Sequence, residues 1–297
     1  MKNSSLVGGL FVLIGALCFS TTGFTQALIV DDGASSYAIG TIRMLFGGLL
    51  LLALCAMRGS LPTLKGWDLK CLFLTVFGVG VYQLCFFKGT LQAGVAMGTL
   101  AAMGFTPVVA AILGALFYKV IPSRQWYIST IIGVTGLILM NWGKTGDFNP
   151  GALFFPLAAG ACYGFTLTFS KPLLKVFPAE TAMTVVLLIC GVCMLPGMFT
   201  EDLSWMLTPR GVLATLHLGV VTTAMAYFFT IVGLKMVSSA TAATLSLAEP
   251  VGAALLGILI LGEAVTPTSF TGIALIIAST LLLVVWPEKK AELKTVK

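Results

Sequence analysis

The residue with the clearest chemical potential in this chain is Glu249, which stands directly before Pro250 in the middle of the apolar run 240–262. A carboxylate at the centre of a membrane-spanning segment costs about 2.5–3.5 kcal/mol on insertion scales, and glutamate is too short to reach the surface from there. Glu249 has two interpretations. In the first, it binds a cationic group of a substrate, or gains and loses a proton during transport; in the second, it is a hydrogen-bonded cap for carbonyl groups freed by Pro250. We favour the first interpretation, because an ionisable group inside a bilayer is a functional candidate by default.

Arg43 is the second ionisable residue inside an apolar run. Its guanidinium suits a planar carboxylate in a cavity, but the residue lies near the end of its run, where a long side chain can instead extend to the interface. Tyr82, Tyr163 and Tyr227 lie away from the ends of their runs. They are candidates for an aromatic cavity that holds an amine or a ring, and we predict that Glu249, Arg43 and these tyrosines form the binding site.

Two prolines occupy matching places in an internal repeat. The stretch around Pro107 recurs 143 residues later around Pro250, and this alignment also places Gly114 opposite Gly257. The repeat indicates that the chain consists of two related halves.

Each of these prolines removes one amide donor and crowds the carbonyl four residues back, at Met103 and Ser246. Membrane helices tolerate a single proline when a neighbouring helix satisfies the backbone. Because Pro107 and Pro250 match in both halves, we predict two broken helices that meet at mid-depth.

The elements that must position these residues are membrane helices. Hydrophobic residues make up 58% of the 297 positions and charged residues 9%, which is too little polar surface to coat a soluble domain. Apolar runs of about 20 residues are long enough to cross a bilayer as helices. Ten are predicted, at 6–28, 37–57, 70–87, 94–118, 126–142, 151–170, 181–199, 211–234, 240–262 and 267–286.

The basic residues predict the orientation of these spans. Of the 17 lysines and arginines, 13 fall at the amino terminus, in alternate loops and in the tail, while Lys88, Lys144 and Arg210 fall on the other side. Because basic loops are retained in the cytoplasm, we predict that both termini are cytoplasmic. The net charge of +6 is therefore a topology signal, and its spread over many loops argues against a nucleic-acid partner.

Five spans per half is an odd number, so the second half enters the membrane from the opposite side. The fold class predicted is an all-α polytopic membrane protein with ten transmembrane helices in two inverted five-helix repeats. We place the first repeat at 1–146, the second at 147–288 and a basic cytoplasmic tail at 289–297. Inverted repeats are typical of secondary transporters that bind substrate at the midplane between the halves.

Other chemistry finds little support. Cys190 and Cys193 have CxxC spacing, but a structural metal site needs four ligands and the single histidine, His217, is on another span. Gly143-Lys144-Thr145 resembles the end of a phosphate-binding loop, yet Ile138 stands where its first glycine belongs. We predict no metal, no cofactor and no ATP-driven step, and a serine-type triad cannot be assembled.

Several of these segments resemble the EamA family of the drug/metabolite transporter superfamily. SLAEPVGAALLGILILGE at 246–263 is similar to the family's second half, and TPVVAAILGALF at 106–117, Gly15-Ala16 and Arg43 are similar to its first. The resemblance implies ten helices with cytoplasmic termini, in which helices one to four and six to nine enclose a cavity and helices five and ten are peripheral. The chain departs from the family where Tyr118-Lys119-Val120 replaces the Leu-Gly-Glu that ends helix nine.

We therefore expect a secondary transporter in the inner membrane, an exporter of a small polar metabolite such as an amino acid or an amine. Alternating access without ATP is expected, and proton coupling is a hypothesis that rests on Glu249. The alternatives are uptake of an amine or quaternary ammonium compound, a multipass enzyme of lipid metabolism and a passive channel. The expected partners are the substrate, the lipid bilayer and the coupling proton; the sequence does not define an oligomeric state.

Overall fold

The computed structural model describes residues 2–63, 65–93, 95–143, 150–262 and 264–286, and all regular structure in these ranges is helical. The basic tail 289–297, Gly94, Lys144 and Glu263 lie outside them. The first six α-helices are α1 Lys2–Val30, α2 Ser36–Arg58, α3 Leu69–Ala93, α4 Val95–Tyr118, α5 Arg124–Met140 and α6 Phe154–Val176. The second six are α7 Ala179–Met194, α8 Pro209–Gly219, α9 Ala226–Leu234, α10 Ser239–Leu245, α11 Ala248–Leu261 and α12 Pro267–Val285.

The prediction of an all-α polytopic membrane protein is confirmed. Within the described ranges, nine helical segments are long and apolar enough to cross a membrane, and α5, with 17 residues, is at the short limit for a tenth. The eighth span consists of α8, a π-helix at Val220–Met225 and α9. The ninth consists of α10 and α11.

Serine and threonine side chains determine where several helices begin. Ser35 accepts a hydrogen bond from the Ala38 amide before α2, and Ser123 accepts one from the Trp126 amide before α5. Such caps satisfy amide groups that the first turn of a helix leaves without a partner. Thr208, Ser238 and Thr266 cap α8, α10 and α12 in the same way.

Contacts between the halves follow a two-fold pattern. The third span packs on the sixth, and the equivalent eighth span packs on the first. In the same way, the fourth span packs on the sixth and the ninth packs on the first. The second and seventh, the fourth and ninth, and the fifth and tenth spans pair with each other. Exchanging each span with the one five positions away therefore preserves the packing, as expected of two repeats related by a pseudo-two-fold axis.

The start of α1 and the end of α12 lie on one face of the bundle. Gly9 of α1 packs against Val284 near the end of α12, and Gly8 packs against Met236 in the turn between α9 and α10. We call this the terminal face and the opposite one the far face. The carboxyl end of α1, at Val30 and Asp31, is therefore at the far face.

The prediction of two broken helices is wrong for Pro107. Helix α4 continues through this proline, whereas the ninth span is interrupted at Ser246 and Leu247, just before Pro250. In α4 the Thr106 hydroxyl donates to Ala102 O (2.9 Å) and to Gly160 O of α6 (3.1 Å). We attribute the continuity to this tie and to the close packing of α6, which hold the backbone of α4 in place beside the proline.

Glycines permit that close packing. A Cβ atom on Gly160 would lie 2.3 Å from Ala102 O, and one on Gly164 would lie 2.9 Å from Val109 Cγ1. Both distances are too short for a side chain, so the small residues at this spacing let α6 approach α4 closely. Met103 lies in the same region, where it is buried beside Leu137 and Leu247.

Candidate functional site

A cavity of about 490 Å³ occupies the middle of the bundle and extends to the far face. Its lining residues come from α1, α2, α3, α4, α6, α9 and α11. Six aromatic residues form much of the wall, namely Phe19, Tyr82, Phe86, Phe87, Tyr163 and Tyr227. Arg43 and Glu249 also line it, so all five residues predicted for the binding site meet in one cavity.

The helix-break residues are placed less uniformly. Pro250 lines the cavity, and Ser246 touches its wall through the Tyr163 hydroxyl, 3.4 Å away. Pro107 is buried in α4 and Met103 packs in the apolar cluster described above. Ser246 and Pro250 of the ninth span therefore lie at the cavity, whereas Met103 and Pro107 of the fourth span are buried between helices.

Arg43 does not extend to the interface. Its side chain is 5% exposed; Nε donates to Thr223 Oγ1 (3.1 Å) and Nη2 donates to Thr222 O (2.9 Å). A guanidinium has five N–H donors, so these two bonds leave Nη1 and one Nη2 hydrogen for another partner. The charge is thus held inside the bundle with its end still available to an acceptor.

The partners of Arg43 belong to the π-helix Val220–Met225. At its end the Ala226 amide bonds to the carbonyl of Val221, five residues back. The Thr222 and Thr223 hydroxyls both donate to Leu218 O, at 2.9 and 2.8 Å. Isolated π-helical turns occur frequently at functional sites, and sequence analysis did not predict this one, although two adjacent threonines inside an apolar span were a visible signal.

Glu249 faces the cavity, and no described residue is its direct partner. In the described part of the chain its carboxylate makes no hydrogen bond, and none of its oxygens lies within 4.0 Å of an Arg43 nitrogen. The Ser246 carbonyl, which Pro250 was expected to free, accepts a hydrogen bond from the Glu249 amide (3.0 Å). The backbone therefore supplies the cap, and the side chain is left to the cavity.

The three tyrosines line the cavity at the level of these charges. The rings of Tyr82 and Tyr163 have centroids 5.6 Å apart, and Tyr227 packs edge-on against Phe19 at 5.1 Å. Tyr163 and Tyr227 are buried, with 7% and 4% exposure. The arrangement is that of an apolar, ring-lined pocket with a small number of polar groups, as is usual for small-molecule sites.

Sequence analysis overlooked Gln83, which also lines the cavity. It is 2% exposed, and its Nε2 approaches the Met44 sulfur at 4.0 Å. An amide inside the apolar run 70–87, next to Tyr82, was a signal that could have identified it.

The cavity is open at one face and closed at the other. Toward the far face it is lined by Gln26, Val30 and Asp31 on one side and by Thr90 and Thr99 on the other. At the terminal face the end of α6 is tied to the turn between α9 and α10. Lys171 Nζ donates to Val237 O (2.6 Å) and Ser239 Oγ donates to Leu167 O (3.1 Å).

Among the described residues, the remaining side chains that could bind a metal form no cluster. His217 pairs with the Thr21 hydroxyl at 2.9 Å, and Cys190 is buried while Cys193 is exposed, both as free thiols. No group of three or more metal-ligating side chains occurs in the ranges that the structure describes.

Two repeats that enclose a ring-lined, charged cavity inside a multi-pass bundle define a membrane transporter. The model of the EamA-like transporter family matches the chain twice, at residues 6–142 and 149–285. The chain belongs to the EamA-like transporter family. The predicted division between 146 and 147 falls between the two matches, in residues that the structure does not describe, and stays a prediction.

Related proteins agree with this assignment. The chain is 35% identical to the "Uncharacterized transporter YwfM" of Bacillus subtilis over 95% of both chains. It is 25% identical to the "Uncharacterized inner membrane transporter YicL" of Salmonella typhimurium, over 94% of this chain and 96% of that one. A crystal structure with 18% identity has a TM-score of 0.79 and covers 93% of this chain and 95% of its own, which shows the same fold.

Proposed function

We propose that this protein is a secondary transporter that exports a zwitterionic metabolite, an amino acid or a close relative, across the cytoplasmic membrane. The observation that carries the proposal is the pair Arg43 and Glu249. Both charges face one cavity, and within the described residues they do not pair with each other. Two separated, opposite charges in one cavity are complementary to a molecule that carries one charge of each sign.

The energetics favour such a ligand. A charge inside a protein is costly until it is paired and hydrogen-bonded. The free end of the Arg43 guanidinium offers donors to a carboxylate, while the Glu249 carboxylate accepts hydrogen bonds from an ammonium. A zwitterion therefore satisfies both charges at once, and the aromatic wall accommodates its apolar part by stacking and by cation–π contact.

Alternating access supplies the transport cycle. The excess of basic residues supports a cytoplasmic terminal face, so the cavity described above is open to the exterior and closed to the cytoplasm. Each span contacts equivalent neighbours in the two halves. The opposite state is therefore obtained when each half adopts the conformation of the other half. Lys171 and Ser239, which tie α6 to the turn at the terminal face, must then release their acceptors.

Glu249 is our candidate for coupling. A carboxylate that faces the cavity without a fixed partner can bind the substrate's ammonium in one state and a proton in the other. Exchange of proton for substrate would make export use the proton gradient rather than ATP.

Uptake of an amine or a quaternary ammonium compound is the second candidate. It is favoured by the position of Glu249 beside the paired rings of Tyr82 and Tyr163, an arrangement that suits a cation without a carboxylate. The direction of net flux in proteoliposomes distinguishes the two. The family assignment favours transport over an enzyme of lipid metabolism, and the charged cavity suits a binding site better than a pore.

Ligand-dependent stability tests the binding chemistry. Purified protein is heated with amino acids, polyamines, quaternary amines, nucleosides or organic acids; a ligand at 100 times its dissociation constant stabilises by about 2.7 kcal/mol. We expect stabilisation by zwitterions that is lost in Glu249→Gln and in Arg43→Gln. Glu180→Gln is the matched control, because Glu180 pairs with Arg58 on α2 at 3.4 Å and does not line the cavity. Stabilisation by anions alone, unaffected by Glu249→Gln, would contradict the proposal.

A further inference from the structure

We infer that Gln83 determines specificity, because its amide binds the carboxylate of the transported molecule beside Arg43. The inference rests on the proposed function and deepens it, since it assigns a second group to the acid end of the ligand. It follows from the burial of Gln83, from its neighbours and from the absence of a strong partner among the described residues.

Gln83 is a polar side chain with unused hydrogen-bonding capacity. A primary amide has two N–H donors and an acceptor oxygen, yet the contact that the described residues provide is the long one from Nε2 to the Met44 sulfur, 4.0 Å. Sulfur is a weak acceptor. A buried amide without good partners destabilises the fold, so a glutamine at a position with 2% exposure indicates a partner that binds in the cavity.

The neighbours of Gln83 place it at the acid end of the site. Met44, which it contacts, follows Arg43 directly on α2. One turn along α3, Phe87 packs near Gly40, which precedes Arg43 by one turn of α2. Gln83 therefore lies at the depth of Arg43, and both residues line the same cavity.

A carboxylate matches this pair of donors. Its two oxygens accept about four hydrogen bonds, more than the free end of the guanidinium supplies, because Nε and one Nη2 hydrogen are bound to Thr223 and Thr222. The amide of Gln83 can fill a remaining position. An amine that lacks the carboxylate gains nothing from Gln83, so this residue should favour amino acids over the corresponding amines.

The experiment compares ligand pairs that differ by the carboxylate. L-phenylalanine with phenethylamine, L-leucine with isoamylamine and L-lysine with cadaverine are titrated into wild type, Gln83→Met and Gln26→Met, and binding is measured by calorimetry and thermal shift. Methionine keeps the approximate length of glutamine and removes its hydrogen bonds. Gln26→Met is the matched control, because Gln26 lines the same cavity nearer the far face, where its Nε2 contacts Ser36 Oγ at 3.2 Å.

We expect Gln83→Met to weaken binding of the best amino acid about tenfold and to leave its amine partner unchanged; Gln26→Met should not change this ratio. Unaltered amino-acid affinity in folded Gln83→Met would overturn the inference. Equal weakening of acid and amine would overturn it too, since that is the behaviour of a packing residue.

A second variant keeps the test valid if Gln83→Met does not fold. Gln83→Glu preserves shape and introduces a charge that repels a carboxylate, so we expect it to reverse the preference toward the amine. An unchanged preference in Gln83→Glu would overturn the inference. If wild type binds none of the amino acids, the proposed function fails and the inference fails with it, which distinguishes that result from a failure of Gln83 alone.

Discussion

The fourth and ninth spans are two copies of one segment that have taken different forms. Both carry a proline at the matching position, yet α4 is continuous through Pro107 while the ninth span divides into α10 and α11 before Pro250. The residues before the prolines differ as well: Thr106 is buried and bonded to two carbonyls, whereas Glu249 faces the cavity.

This difference indicates that a proline alone does not open a membrane helix. In the fourth span, a hydroxyl and a closely packed neighbour hold the backbone in place, and the proline becomes part of the packing. In the ninth, the preceding side chain is a carboxylate that cannot donate to a carbonyl when ionised. One copy of the repeat therefore stabilises the bundle, and the other supplies the site.

The largest effect should come from removing the charge in the ninth span. We expect Glu249→Gln to abolish coupled transport while the protein stays folded, because the variant lacks the coupling group. It also lacks a charged hydrogen bond to the substrate, whose loss costs about 1.5–3 kcal/mol, or about tenfold to hundredfold in affinity. Transport into proteoliposomes at several pH values measures this loss of coupled transport. Unaltered pH-dependent transport in Glu249→Gln would refute the assignment of Glu249, and Thr106→Val, at the matching position of the other copy, should retain coupling.

The next largest effect concerns the packing of α4. A methyl group at Gly160 would lie 2.3 Å from Ala102 O, so we expect Gly160→Ala to destabilise the protein by about 1–3 kcal/mol through overpacking. Gly23→Ala is the control, since a Cβ there meets nothing within 4 Å. Thermal unfolding in detergent compares them; equal stability of the two variants would show that α6 does not constrain α4.

A smaller effect is expected at Thr106. Thr106→Val keeps the shape and removes the hydroxyl that bonds to Ala102 O and Gly160 O, so it should cost about 1–2 kcal/mol of stability. Thermal unfolding measures this loss. Thr271→Val is the control, because Thr271 is exposed and its hydroxyl bonds within its own helix. If Thr106→Val is as stable as wild type, packing alone accounts for the continuity of α4.

The smallest effect tests the ends of the two copies. Lys119 after α4 and Gly262 after α11 both have left-handed backbone, with φ of 54° and 68°, and 143 residues separate them as they separate the prolines. Because this conformation strains a residue that has a Cβ, we expect Lys119→Gly to stabilise the protein by about 0.5–1 kcal/mol. Gly262→Lys should do the reverse, and a fall in melting temperature for Lys119→Gly would contradict this account.

The elements of the fold were largely predictable because a bilayer imposes a length and a composition on each span. The same constraint makes buried charges rare, which is why Glu249 and Arg43 could be selected from sequence and do line one cavity. What could not be predicted depends on contacts between distant segments. We attribute the continuity of α4 to packing against Gly160 of another span, and the orientation of Arg43 depends on the Thr222 carbonyl and the Thr223 hydroxyl, 179 and 180 residues away.

The π-helix in the eighth span affects how the two halves can be aligned. A bond to the fifth preceding residue rather than the fourth accommodates one residue more than a regular helix, and each residue of an α-helix turns the chain by about 100°. The spacing of the tyrosines is a separate matter, because Tyr227 follows the π-helix: Tyr82 and Tyr227 are 145 residues apart, while the prolines are 143 apart. If the same residues 220–225 formed a regular α-helix instead, the span would keep its hydropathy but His217 would be rotated relative to Tyr227 by about a quarter of a turn. A change that hydropathy cannot detect would thus alter which side chains this span presents to the cavity.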